Sequence, residues 1–208
     1  MGQPLDAESP RADGTQQVNE SLRVNARYVE EIVIGWDLCP WAARAWRDGQ
    51  VSRRVMLDAA PEITPVLKFI DELVASPILA IGLAIFPRAS ISEVAFGSFA
   101  ERVRRADRAR RSPDPRAPYL LAAFHPDSGL GADLENAAQL VSYIRRTPDP
   151  TLQLVRASLI GELSRDGRDL SADIAADNLA KVGVRNSSTL GMLLDDIRRD
   201  RDAAYSRL

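Results

Sequence analysis

The stretch that most constrains the fold is Ile78 to Phe86, apolar at every position apart from Gly82. Closed by Pro87, such a run reads as a strand covered on both faces, since a half-solvated strand would alternate apolar with polar residues. It therefore calls for helices on either side of a sheet. Tyr119-Leu-Leu-Ala-Ala-Phe124 is a second run of this kind. Val51 to Leu57, where Val51, Val55 and Leu57 mix with Arg53 and Arg54, reads as a half-buried third strand.

Helical patterns separate these strands. Leu22, Ala26, Val29, Val33 and Trp36 step by fours and threes, one stripe of a helix that Pro40 stops or kinks at Cys39. Thr64-Pro65 reads as a cap and first turn ahead of Val66, Ile70, Leu73 and Val74. Ser90 and Glu93 form a capping box before Val94, Phe99, Val103 and Ala106. Leu134 to Ile144 reads as a short helix, and a stronger one is expected after Pro150 from Leu152, Val155, Leu159 and Leu163. Ser171 caps a helix to Val182 with Gly183 as its stop, and a last helix buries Leu190, Leu194, Ile197 and Ala204.

This order predicts an α/β fold: a small three- or four-stranded sheet, partly parallel, packed by helices and followed by a helical C-terminal part. A ferredoxin-like arrangement is the alternative. The polar residues 1–17 read as a disordered tail. Residues 18–208 read as a single domain, with a flexible arginine-rich linker near 108–117 and C-terminal helices from about 171.

Composition narrows the function. In 208 residues, a hydrophobic fraction of 45% and a charged fraction of 27% suit one globular domain with a sizeable core. A net charge of -2 speaks against general nucleic-acid binding, which needs a basic surface. No stretch reaches the roughly 18 apolar residues of a membrane span, and the polar start does not resemble a signal peptide. One cysteine forms no internal disulfide, so a cytoplasmic location is expected. Lys68 and Lys181 are the exceptions among basic residues that are otherwise arginine. That bias suits phosphate or carboxylate recognition, or reflects a GC-rich genome.

The residues that could carry chemistry are few. Cys39, the lone cysteine, lies at the helix break in Trp36-Asp37-Leu38-Cys39-Pro40-Trp41-Ala42. His125, the lone histidine, lies at the end of the second apolar strand in Phe124-His125-Pro126-Asp127. A thiolate–imidazolium pair is one reading; a buried small hydrophobe and a structural histidine are the other. The spacings of zinc sites are missing, so no metal is expected. Haem needs one axial Cys or His, and Cys39-Pro40 is a weak hint of that. Walker, Rossmann and serine-hydrolase motifs are absent, and Gly129-Leu130-Gly131 reads as a turn. Arg102 to Arg111 is the densest basic run. Arg145 and Arg146, before Pro148 and Pro150, are better placed to clamp an anion.

Three segments together carry a family resemblance: Leu38-Cys39-Pro40-Trp41-Ala42, Ala123-Phe124-His125-Pro126, and Tyr143-Ile144-Arg145-Arg146-Thr147-Pro148-Asp149-Pro150 leading towards Arg156. From about Leu22 to Met192 the chain resembles a bacterial and plant family catalogued as domain of unknown function fourteen-fifteen. That family shows LCPFA-like, FHP and NRSPYP-like segments. Trp41 stands where it usually has Phe, Arg145 where it has Asn, Thr147 where it has Ser and Asp149 where it has Tyr.

The resemblance implies that Cys39, His125 and Arg146 share a site, without implying an activity. The leading expectation is a small α/β enzyme acting on a small anionic molecule. Cys39 would be its nucleophile or redox thiol, His125 the general base and Asp127 the group orienting the imidazole. Arg146 would clamp the anion, with Arg145 and Trp41 also contacting substrate. The alternatives are a non-catalytic haem- or ligand-binding module, and an interaction protein in which Cys39 is packing and the arginine linker meets an acidic partner.

Overall fold

The computed structural model describes residues 12–111, 117–159, 170–185 and 187–208. In chain order these form α1 (Ala12–Arg27), a π-helical segment (Tyr28–Ile34), α2 (Ala42–Arg47), β1 (Val51–Val55), α3 (Ile63–Ala75) and β2 (Ile81–Ile85). There follow α4 (Glu93–Arg110), β3 (Tyr119–Phe124), α5 (Ala137–Tyr143), β4 (Thr151–Arg156), α6 (Leu170–Arg185) and α7 (Ser187–Tyr205).

The strands make one mixed sheet in the order β1-β2-β4-β3. β1 and β2 pair in parallel across the α3 crossover, with Val51 opposite Ile81. β4 is antiparallel to both its neighbours, with Ile85 and Phe124 facing Thr151 from either side. β1, β2 and β3 therefore point the same way, and their C-terminal ends share an edge with the start of β4. The ferredoxin-like alternative is not adopted, because a helix separates every pair of successive strands here.

Alternation along the strands divides the core. Ala84, Phe86, Tyr119, Leu152 and Leu154 face α3 and α4, where they meet Phe69, Leu73, Phe96 and Phe99. The Phe86 ring stands edge-on to Phe96 and Phe99, with centroids 5.6 and 5.8 Å apart, arrangements that aromatic quadrupoles favour. Ile81, Leu83 and Ile85 point the other way, towards Tyr28, Ile32, Trp36, Leu140 and Leu190. β2 is buried at all five positions, as its unbroken apolar run requires.

Several local expectations need correction. Residues Thr151 to Arg156, expected in a helix, form the inner strand β4. Leu152 and Val155 are compatible with a helical step, but Leu152 and Leu154 also alternate across a strand, and pairing on both sides decides between the periods. Leu163 lies outside the described residues. α1 begins at Ala12, inside the stretch expected as a tail, and Gln17 there is buried and accepts from Arg88 Nε at 2.9 Å. Residues 1–11 lie outside the described residues.

The cap of α4 is Ser92, whose Oγ accepts from Ala95 N–H at 3.3 Å, not Ser90. α3 starts at Ile63 without a side-chain cap, so Thr64 is already helical. α6 continues through Gly183 to Arg185. α4 extends into the expected linker as far as Arg110, because Arg110 and Arg111 pair with Asp107 and Asp71; residues 112–116 lie outside the described residues. Ion pairs also join the helices beyond the sheet, where Arg23 and Arg27 both reach Asp200 at 2.7 Å. Their hydrogen bonds, Arg23's foremost, lower the Asp200 carboxyl to about 2. Among the described residues no helix is long and apolar enough to cross a membrane.

Candidate functional site: a cavity under Cys39 and Arg145

The first helical stripe does not stay α-helical up to Pro40. From Tyr28 to Ile34 the backbone widens into a π-helix, and Gly35 N–H donates to Glu30 O, five residues back, at 2.9 Å. A Cβ at Gly35 would stand 2.5 Å from Glu31 O, so glycine permits this close turn. π-helical segments are uncommon and often border functional sites. Asp37 then adopts φ 51, a left-handed conformation unusual outside glycine. Lys181 holds it there, donating from Nζ to Asp37 O at 2.7 Å and to Oδ2 at 2.8 Å. Asn178 Nδ2 donates to Leu38 O at 3.1 Å. α6 thus fastens the turn that presents Cys39.

Below this turn lies a cavity of about 300 Å³, bounded by Leu38, Cys39, Pro40 and Trp41, by the sheet face from Ile81, Leu120, Phe124, Gln153 and Val155, and by the α5–α6 side through Ile144, Arg145 and Ile174. Its volume is at the lower end of small-molecule pockets, which run roughly 300–1,000 Å³. Most of the wall is apolar.

Arg145 is its cation. The guanidinium carbon lies 5.5 Å from the Phe124 ring centroid. Burial lowers the guanidinium's pKa, with the nearby Tyr28 hydroxyl acting in the opposite direction. The side chain forms no hydrogen bond or ion pair among the described residues. Other partly buried arginines are engaged: Arg53 donates to Leu22 O, Arg104 to Leu121 O, Arg156 to the carbonyls of Leu73, Ser76 and Leu79, and Arg201 to Asp149.

Cys39 is a neutral wall of this cavity at pH 7. Burial pushes its thiol above the ordinary value, the backbone N–H groups of Trp41 and Ala42 pull it partly back, and the Asp37 carboxylate adds to the rise. The arrangement lacks the imidazolium that stabilises a catalytic thiolate.

His125 lies elsewhere. Phe124 faces the cavity, so the next residue turns to the opposite sheet face, where the His125 ring sits 6.1 Å from that of Phe96. It is 4% exposed. Asp127 N–H donates to Nδ1 at 3.1 Å, which leaves the proton on Nε2, 2.9 Å from Ile91 O. Both ring nitrogens are thus engaged. The Asp127 carboxylate is 3.8 Å from Nδ1 and 3.4 Å from Arg198 Nη1, so it orients the ring through its backbone and not through its carboxylate. The loop beyond turns back at Gly129, φ 63, where a Cβ would meet Tyr143 N at 2.5 Å.

Arg146 also points away from Cys39. It reaches Asp195 Oδ1 at 3.2 Å, lies over the Tyr143 ring at 5.1 Å, and borders a hollow of about 10 Å³ with Pro126, Pro148 and Arg198. Of the six site candidates, the structure brings Cys39, Trp41 and Arg145 to one cavity, and places His125, Asp127 and Arg146 outside it. Thr147 and Asp149, in the same motif, serve the fold. Asp149 accepts from Arg201 at 2.9 Å and Tyr205 at 2.6 Å, and its own carbonyl takes the hydroxyls of Thr147 and Thr151.

Tyr28, Asn25 and Gln153 were missed by sequence reasoning. Asn25 falls three residues after Leu22 and four before Val29, so a polar residue on the apolar stripe was a visible signal. Gln153 was hidden by the helical reading of β4. Among the described residues, no cluster of three His, Cys, Asp or Glu side chains could hold a metal ion.

A family model described as protein of unknown function, DUF1415, matches residues 21–190. No curated protein and no solved structure matches the chain.

Proposed function

The chain belongs to the DUF1415 family, and we propose that it binds a small organic anion with an apolar body in the cavity beneath Cys39, its head held by Arg145. One observation carries this reading: a guanidinium borders an apolar hollow with no carboxylate partner among the described residues. An unpaired, partly buried cation is costly in the empty protein, and a carboxylate or phosphate offsets that cost with charge-assisted, bidentate hydrogen bonds. The protonated thiol of Cys39 adds no opposing negative charge.

The catalytic half of the expectation gains no support from the geometry, since His125 stands on the other sheet face with both nitrogens engaged. Binding is the function carried forward. Titration calorimetry with unbranched carboxylates from butanoate to octanoate tests it. The expected result is saturable binding at one or more chain lengths, weakened at least about tenfold in Arg145→Gln. Equal affinity in the variant would remove Arg145 from the site, and with it the proposal.

A further inference from the structure

The sheet register orders the floor of the cavity. Phe124, over which Arg145 lies, pairs with Thr151; Ala122 pairs with Gln153 in the next row, and Leu120 with Val155 beyond it. Rows on one face are two residues apart, about 7 Å. From the Arg145 end the floor is therefore first aromatic, then an amide, then apolar. It ends at Leu120, 46% exposed, which marks the mouth.

A second amide borders the same cavity from α6, a helix of the layer that covers this sheet face. Asn178 is 2% exposed. Its Nδ2 is committed to Leu38 O at 3.1 Å, and its Oδ1 takes no hydrogen bond among the described residues. The Gln153 amide forms none either. Among the described residues, the unpartnered side-chain atoms sealed from accessible space are Asn25 Oδ1, Arg111 Nη2 and Arg146 Nε. Asn178 Oδ1 and the Gln153 amide are not of that kind, so both open onto the cavity they border. Buried polar groups are nearly always paired, and two reachable ones left free in an apolar hollow ask for a partner.

From this we infer that the anion proposed above is an N-acyl amino acid. Its carboxylate meets Arg145, its amide lies between Asn178 and Gln153, and its acyl chain follows the Leu120–Val155 row towards the mouth. The inference rests on the Arg145 reading and names the class of ligand. A trans amide is planar and sends its N–H and C=O in opposite directions. The N–H donates to Asn178 Oδ1 on the α6 wall, and the C=O accepts from the Gln153 amide on the sheet. A hydroxyl gathers both contacts at one oxygen, and an ester has no proton to give.

The test compares three series by titration calorimetry on the full chain: N-acylglycines from N-butanoylglycine to N-octanoylglycine, unbranched acids of equal chain length, and esters in which oxygen replaces the amide N–H. At one length or more the acylglycine is expected to bind at least about tenfold tighter than either analogue, and Arg145→Gln should weaken all three series. The advantage over the plain acid should shrink in Gln153→Met, and the advantage over the ester should vanish in Asn178→Leu; the first variant serves if the second fails to fold.

Acids that bind equally well with and without the amide would overturn the inference and leave the Arg145 site standing. An amide preference undiminished in the folded variants would also overturn it. If no member of any series binds, the anion reading falls and this inference with it.

Discussion

The two faces of the sheet solve the same problem differently. Towards α3 and α4, rings and leucines interlock, and the one buried imidazole has a partner for each nitrogen. Towards the π-helix, α5 and α6, a hollow of about 300 Å³ persists, bordered by the polar side chains of Arg145 and Gln153. The first face is the more closely packed, with a smaller hollow of about 160 Å³ beside Tyr119 and Leu154, and close packing is what stability alone favours. The second forgoes packing and pairing. An arrangement that is costly in the empty molecule is the one the proposed anion would offset. Chemical conspicuousness misled on this point, because the lone histidine belongs to the closed face.

The sharpest way to break the contrast is to truncate one side chain on each face. Phe99→Ala should cost about 3–5 kcal/mol in urea unfolding, because the ring is fully buried between Phe86 and Phe96. Ile174→Ala, beside space that is already empty, should cost less than about 1 kcal/mol. Equal losses would mean that the cavity closes in solution.

His125→Ala should cost about 2–4 kcal/mol, since it leaves a void and strands Ile91 O and the Asp127 N–H. In the folded variant, iodoacetamide should alkylate Cys39 at the wild-type rate, with a midpoint above the ordinary thiol value of about 8.5 in both proteins. A slowed reaction in the variant would place the imidazole back in the thiol's chemistry.

Arg145→Leu should go the other way and stabilise the ligand-free protein by about 1 kcal/mol, because a cation without a partner among the described residues leaves an apolar wall. For a chain of this size that is a rise in Tm of about 2–4 °C. A fall in Tm would show that the guanidinium has a partner in the empty protein.

Acid should separate the faces last and least. The folded-state pKa of Asp200, about 2, lies below the unfolded value near 3.9. Its contribution is therefore present above about pH 3.9 and lost as the pH falls through about 2. Hydrogen exchange in acid should show α1 and α7, which Asp200 joins through Arg23 and Arg27, losing protection before α3 and α4. Asp200→Asn should flatten the acid dependence of stability; an unchanged slope would exclude this ion pair as its source.

Much of the scaffold was legible because burial writes itself into periodicity. β2 and β3 stand out as unbroken apolar runs, and the α7 stripe of Leu190, Leu194, Ile197 and Ala204 is buried as its spacing requires. β4 was not legible, since leucines at 152 and 154 and valine at 155 satisfy the strand period and the helical one together. The candidate site was half legible for a related reason. Phe124 and His125 are neighbours in sequence and face opposite sides of the sheet, as Arg145 and Arg146 part company at the end of α5. A motif fixes which residues travel together along the chain, but a single residue of phase decides which face each one meets.

By itself, then, the sequence determined a helix-wrapped sheet and the family, since each rests on local pattern or on ordered motifs. The tertiary structure decided the rest. The pairing partners of β4 set its register, and that register turned Gln153 towards the hollow while Leu152 and Leu154 filled the closed core. Whether a polar group is paired depends on atoms brought from distant parts of the chain, so only the folded molecule could single out Arg145 among its many arginines.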